Sequence, residues 1–308
     1  MTKIYLIAIT LLLSINIQAQ TFQEYIKSGD EHYDTKEYAA SGEAYDAAFE
    51  LEEGTASQYY NAACSWALSG ESNKAIKYLH KSAGKGWTNV KHLKRDTDLS
   101  SLHNMKAWDE IVNRVKKNKA ESEKDYDQEL KAQLEAIFVR DQTLRQLYQD
   151  AEQKFGRDSE EMDYFWQVVN AEDQKNKEEV KAILDEKGWV GRSLVGGKAN
   201  MALFLVIQHA PLETQEKYLP MLRASVLAGE SQGNHLALMD DRVQMRNGLP
   251  QTYGSQFTWD EEAGKEVLYE IKDPEYVNQR RREVGLPPIE FYLEKKGMEW
   301  NIPQKEKE

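Results

Sequence analysis

Two segments of the chain, YIKSGDEHYDTKEYAASGEAYDAAF from Tyr25 and YYNAACSWALSGESNKAIKYLHKSA from Tyr59, align at an offset of 34 residues. Under that offset Tyr25 meets Tyr59, Gly29 meets Ala63, His32 meets Trp66, Ser41 meets Ala75 and Tyr45 meets Leu79. A recurrence of this length constrains the fold strongly. It is the length of one helix-turn-helix unit, and such a unit buries its apolar face only by stacking on a neighbour. Small residues fall where two helices must approach closely, and large ones where they interlock.

These residues resemble the tetratricopeptide family over about residues 22–117, with Gly86-Trp87 to Trp108 as a degenerate closing pair. Several consensus positions hold His or Ser in place of the usual aromatic or Ala. The resemblance implies a concave groove that holds a peptide or a neighbouring domain. The one cysteine, Cys64, sits in Asn61-Ala62-Ala63-Cys64 with no basic neighbour in sequence, so it reads as a packed thiol and allows no internal disulfide. His32, His80, His92 and His103 lack metal-ligand spacing. No metal and no other cofactor is expected.

Residues 1–19, MTKIYLIAITLLLSINIQA, have a basic start at Lys3, an apolar run from Ile4 to Ile15 and a small-residue cleavage pattern ending at Ala19. They predict a secretory signal cut after Ala19, hence a periplasmic or secreted product. The run is shorter than a membrane span of roughly 20 residues, so no membrane insertion is expected after the signal is removed. The 308 residues carry a net charge of -12, a field that repels nucleic acid and anionic lipid. The basic runs Lys116-Lys117-Asn118-Lys119 and Arg280-Arg281-Arg282 read as solvated faces.

The charge-dense stretch Asn113 to Asp127 predicts a boundary near residue 120, with a helical domain from there to about 300. Tyr126 to Tyr148 carries an apolar stripe at Tyr126, Leu130, Leu134, Ile137/Phe138, Leu144 and Tyr148, and Asp141 falls on it. Asp158 to Glu186 carries another at Met162, Phe165/Trp166, Val169, Val180 and Ile183/Leu184, and the same progression passes through Asp173 and Asn176. A third helix, Ala199 to Ala210, is apolar over most of its circumference and ends on Gln208-His209. A fourth, Leu236 to Asn247, brings Asp241 and Arg242 to the face of Leu238 and Met245.

An ionised carboxylate in a core costs several kcal/mol unless it is paired, so four helices each turning a polar group inward predict a shared cluster. Three chemistries fit it: a closed network fixing helix register, a ligand or substrate pocket with His209 and one of Asp141, Asp173 and Asp241 as acid and base, or a divalent metal held by His209 and carboxylates. The i, i+3 ligand motifs of carboxylate bundles are absent, which weighs against the metal.

Residues from about 130 to 257 resemble an uncharacterised bacterial domain of unknown function. The matching pieces are Asp141-Gln142-x-x-Arg145, Asp173-x-x-Asn176, Gly188-Trp189 with Ser193-Leu194-Val195-Gly196, Gln208-His209-Ala210, Asp241-Arg242 and Gly248-x-Pro250-Gln251-x-Tyr253-Gly254-x-Gln256. The chain departs from the pattern at Val190, where proline is usual. The resemblance implies a fold and a set of candidate positions, and no chemistry.

In PQTYGSQ, Gln251, Tyr253 and Gln256 offer amides and a phenol suited to uncharged polar ligands. The alternative is a turn leading into a hairpin, Gln256 to Trp259 with Val267 to Ile271. Two short helices, Glu275 to Val284 and Pro288 to Lys296, are expected to follow. Gly191 to Lys198 superficially resembles a phosphate loop, yet it follows a helix and ends Gly-Lys-Ala, so phosphate binding is not expected.

The fold expected is mostly α: a short repeat array, then a helical domain with one small hairpin near 256–271. The leading functional expectation is an exported binding or scaffold protein that engages a polypeptide through the repeat groove. The rival is a secreted hydrolase or small-molecule binder working through His209, Asp241, Asp173 and Asp141. Gln142, Arg145, Asn176, Gln208, Arg242, Gln251, Tyr253 and Gln256 would hold its small polar ligand.

Overall fold

A computed structural model describes residues 21–262 and 264–306. The expected signal segment lies outside the described residues. Among the described residues the fold is mostly α with a single two-stranded antiparallel hairpin. Among the described residues no helix is long and apolar enough to cross a membrane. The chain divides into two compact units between Lys124 and Asp125.

The first unit opens with two helix pairs: α1 (Phe22–Asp34) with α2 (Tyr38–Leu51), and α3 (Ala56–Leu68) with α4 (Ser72–Gly84). Both α1 and α3 begin with a capping box, Thr21 with Glu24 and Thr55 with Gln58, which satisfies orphan N–H groups at the same point of each pair. After α1 the chain turns through Lys36 at φ 64, and after α3 through Gly70 at φ 90. All these positions recur 34 residues on. The interior is aromatic, with Phe49 set 4.5 Å from Tyr59 and 5.4 Å from Tyr78, ring centroid to ring centroid. Gly42 is required here, because a Cβ at that position would lie 2.5 Å from the Trp66 ring.

The closing segment is less regular than a helix pair. It consists of α5 (Val90–Arg95), a 3-10 turn at Thr97–Leu102, and α6 (Lys106–Ser122), which runs past the expected end at residue 117. Leu93, Leu99 and Leu102 are fully buried, and Asn118 donates to the main-chain oxygens of Ala83 and Trp87 at 2.7 and 3.0 Å, tying α6 to the end of α4.

The second unit is led by two long helices, α7 (Gln128–Phe155) and α8 (Glu160–Lys187). Next comes α9 (Arg192–His209), which packs along α7. It is kinked at Gly196, where a φ of 80 favours glycine and a Cβ would lie 3.1 Å from the Tyr126 ring. It begins seven residues before the expected start because Arg192 to Val195 form a helical turn ahead of that kink. A helix with no counterpart in the sequence reading, α10 (Leu212–Leu227), follows, and Pro211 and Pro220 had hidden its periodicity. It packs on α11 (Gly233–Arg246). The core gathers Leu134, Ile137, Val180, Leu184, Leu203, Ile207, Tyr218 and Met239.

The hairpin pairs β1 (Phe257–Asp260) with β2 (Lys265–Leu268), Phe257 opposite Leu268 and Asp260 opposite Lys265. A 3-10 turn at Pro274–Tyr276, α12 (Val277–Glu283) and α13 (Ile289–Glu294) follow, and Ile271, Val277, Ile289 and Leu293 form their own small core.

Candidate functional site

Asp141 stands midway along α7 with its side chain 1% exposed, and His209 ends α9 with its side chain 24% exposed. His209 Nδ1 lies 3.3 Å from Asp141 Oδ1. Gln142 Nε2 donates to the other carboxylate oxygen at 2.7 Å, and Arg145 donates to the main-chain oxygen of Asp141 at 3.0 Å. Burial works to raise the Asp141 carboxyl, but the hydrogen bond and charge of His209, the Gln142 amide and the Arg145 charge outweigh it and hold the group below the usual aspartate range. Arg145 also grips Asp173 of α8 with two bonds, 3.0 and 2.7 Å. His209, Asp141 and Asp173 line one cavity of about 260 Å³ with Asn170, Lys177 and Val206. Nδ1 is engaged by Asp141, and Nε2 has no partner among the described residues.

Asn176, one turn beyond Asp173, belongs to a neighbouring network. It is fully buried and accepts from Arg140 Nε at 3.0 Å, while Arg140 reaches Glu179 at 2.8 Å. Arg140 was not singled out from the sequence, although it sits one position before the buried Asp141 and thus on the adjoining flank of α7.

Asp241 does not join the cavity, which corrects the expectation that all four groups meet. Its fully buried carboxylate accepts the N–H groups of Thr252 and Tyr253 on one oxygen, at 2.8 and 2.9 Å, and that of Ser255 on the other, at 2.9 Å. Burial pushes this carboxyl up while the three donors pull it down, and the net direction is upward. Gln251 is consumed in the same loop: its oxygen accepts from the Gln256 N–H at 2.8 Å, and its amide donates to the main-chain oxygens of Gln256 and Tyr269. Arg242 donates to Gln256 Oε1 at 3.1 Å and to the main-chain oxygen of Gln208 at 3.0 Å.

Gln251 and Gln256 are therefore buried parts of a turn whose own groups satisfy them, and Tyr253 is buried beside them. They do not line the His209 cavity. The physical reason is local: PQTYGSQ folds back onto α11, and its own backbone donors take the acceptors that a ligand would need. Gln208 is buried beside it, with its amide donating to Leu238 and its Oε1 unpartnered among the described residues. The main-chain oxygen of Gln208 also accepts from Gln215 at 2.7 Å, so side chains of α10 and α11 cap the C-terminal carbonyls of α9.

The first unit has a cavity that sequence reading missed. It measures about 560 Å³ and is lined by Asp30, Asp34, Asp96 and Asp98, by Tyr33, Tyr45 and Tyr60, and by Asn61, Cys64 and His92. Tyr33 donates to Asp98 at 2.5 Å, Tyr45 to Asp30 at 2.5 Å and Tyr60 to Asp96 at 2.8 Å, while His92 Nε2 lies 3.4 Å from Asp96. Ligand atoms of Cys64, Asp96 and Asp98 lie within 4.8 Å of one another, close enough to share an ion. Burial first, then the two carboxylates, pushes the Cys64 thiol far up, so at neutral pH it keeps the proton that a metal would have to displace. Asp96 and Asp98 lie in the irregular closing segment, outside the repeat, which is why periodicity gave no sign of them.

Fold and site together define a mostly α protein whose second unit carries a buried aspartate paired with a partly exposed histidine at a small polar cavity. Residues 124–300, more than half of the chain, match a family of unknown function (DUF6624), and the chain belongs to that family. No curated protein and no solved structure matches it.

Proposed function

We propose that the protein is an exported binding protein whose N-terminal helix pairs, a tetratricopeptide-like array, hold a polypeptide segment bearing a basic side chain. The observation that carries this reading is the first-unit cavity: four carboxylates and three phenols surround it, and no lysine or arginine is among its lining residues. Carboxylates beside aromatic rings suit an ammonium or guanidinium group. The 34-residue recurrence of the helix pairs supports the array. The leader-like residues 1–19 support export to the periplasm or beyond, and a product beginning at Gln20 is expected in the exported fraction by mass spectrometry.

The test uses the full chain and labelled lysine-bearing peptides, read by fluorescence anisotropy. Asp30→Asn with Asp98→Asn is expected to weaken binding by roughly tenfold, which is about 1.4 kcal/mol. Acetylation of the lysines should do the same. Equal affinity for acetylated and unmodified peptides would refute the reading.

A second reading rests on a different observation, the free Nε2 of His209 at the 260 Å³ cavity with Nδ1 held by Asp141. That arrangement suits a small polar ligand, or proton transfer to and from one. His209 would be the acid or base, Asp141 would orient it, and Arg145 would keep Asp173 in place. A thermal-shift screen of small polar compounds tests it, since a specific binder raises the melting temperature of the wild type but not of His209→Gln.

A further inference from the structure

Beyond the repeat groove, we infer that the outer halves of α7 and α8 form a docking arm for a basic amphipathic helix of a partner protein. α9 ends at His209, beside Asp141. Past that point α7 continues to Phe155, a further length of about 21 Å at 1.5 Å per residue, before α8 returns. The core of the unit draws only Leu130, Leu134, Ile137 and part-buried Phe138 from α7 and only Val180, Ile183 and Leu184 from α8, all on the near side of Asp141 and Asn176. Between residues 142 and 173 only Met162 and Val169 are buried.

The sequence nevertheless continues its apolar pattern along this overhang. Leu147 is 48% exposed, Phe155 43%, Tyr164 67% and Trp166 42%. Leu144, Phe155, Tyr164 and Phe165 line a groove of about 610 Å³ that Glu160 and Glu161 help to enclose. An apolar stripe kept at helical spacing but left without a covering element is the surface that a helix in a groove recognises.

Charge selects the occupant. Residues 142–173 hold eight carboxylates against three cations. Two of the cations are already committed, Arg145 to Asp173 and Arg157 to Glu152. Asp150, Asp158, Glu160, Glu161 and Asp163 have no cationic partner among the described residues. Two copies of this arm would repel each other, and an anionic bilayer would repel it too. A helix with leucine-like anchors on one face and lysine or arginine beside them complements both the groove and its acidic rim.

The experiment uses the full chain and a labelled leucine-lysine helical peptide of about 18 residues, with a leucine-glutamate counterpart, read by anisotropy. The basic peptide should bind at least roughly tenfold more tightly than the acidic one, and Phe155→Ser with Tyr164→Ser should lose that same factor. Leu227→Ser, an exposed apolar residue elsewhere, should change nothing, and the arm variant should lose the same factor when both chains also carry Asp30→Asn with Asp98→Asn, which removes the contribution of the first-unit cavity to lysine binding. Circular dichroism confirms that the variants fold. Equal affinity in the wild type and the arm variant overturns the proposal. So does self-association in sedimentation that the arm variant abolishes, or arm-dependent binding to vesicles of phosphatidylcholine and phosphatidylglycerol.

Discussion

His209 and Asp141 are 68 residues apart in the chain, yet Nδ1 of one lies 3.3 Å from Oδ1 of the other, at the point where α9 ends against the middle of α7. The carboxylate is almost wholly buried and the imidazole is not, so the pair has an inner member and an outer member. Removing the outer member, by His209→Ala, leaves a buried carboxylate with only Gln142 and Arg145 nearby. The expected loss is about 1–3 kcal/mol in urea unfolding, and Asp141→Ala should cost more. A change of a few tenths in both variants would show that the pair contributes nothing to the fold.

Two groups of the second unit, His235 and Asp141, should each lose their contribution to stability in acid, in separate windows. His235 lies buried and stacked on Phe204, with ring centroids 4.3 Å apart, and burial pushes its pKa down from 6.5 to about 4. The unfolded chain therefore binds the extra proton between those values. Stability falls as pH drops from about 6.5 to 4, by up to about 3 kcal/mol, and this contribution changes no further below that. His235→Phe keeps the stacking and should flatten the slope in that window, as read from urea midpoints across pH.

Asp141 works at lower pH. Because its folded pKa is depressed, its contribution is full above the ordinary aspartate value of about 4 and is lost as pH falls through the folded value. The Asp141→Asn variant should remove this lower loss and leave the upper one intact.

Asp241 anchors the loop after α11 through the N–H groups of Thr252, Tyr253 and Ser255. Asp241→Ala strands these donors, and a cost of about 3 kcal/mol or more is expected. The amides of these three residues should become the fastest-exchanging of the loop in hydrogen exchange. Unchanged protection would contradict the structural role.

In the first unit, Gly42→Ala places a methyl group 2.5 Å from the Trp66 ring, and no rotamer of its own can relieve the clash. Overpacking of this kind is expected to cost about 1–3 kcal/mol. Differential scanning calorimetry of the full chain reads it as a drop in the melting transition that contains the first unit.

Much of the local structure was legible residue by residue. The 34-residue offset of Tyr25 and Tyr59 corresponds to helix pairs with matching caps at Thr21 and Thr55, and the mostly α class with one hairpin is what the chain adopts. The stripes through Leu130, Leu134 and Ile137, and through Val180 and Leu184, marked the core faces, and Asp141 and Asn176 were correctly read as inward. The same stripes misled beyond Asp141, since Tyr148 of α7 and Phe165 and Trp166 of α8 continue the pattern along the outer part of these two helices, past the described core of the unit. Pro220 concealed α10 because a missing N–H reads locally as an interruption, whereas the surrounding turns and tertiary packing keep the helix whole.

Periodicity is a property of one helix, and by itself the sequence determined which side of α7, α8 and α11 carries apolar groups. Which inward group meets which is a property of pairs of helices, set by where each one ends and what lies opposite. Only the tertiary structure joined His209 to Asp141 and separated Asp241 into its own loop. It also gathered Asp30, Asp96 and Asp98 from unrelated segments around one cavity, because nothing in a 3.6-residue period encodes the register between distant elements.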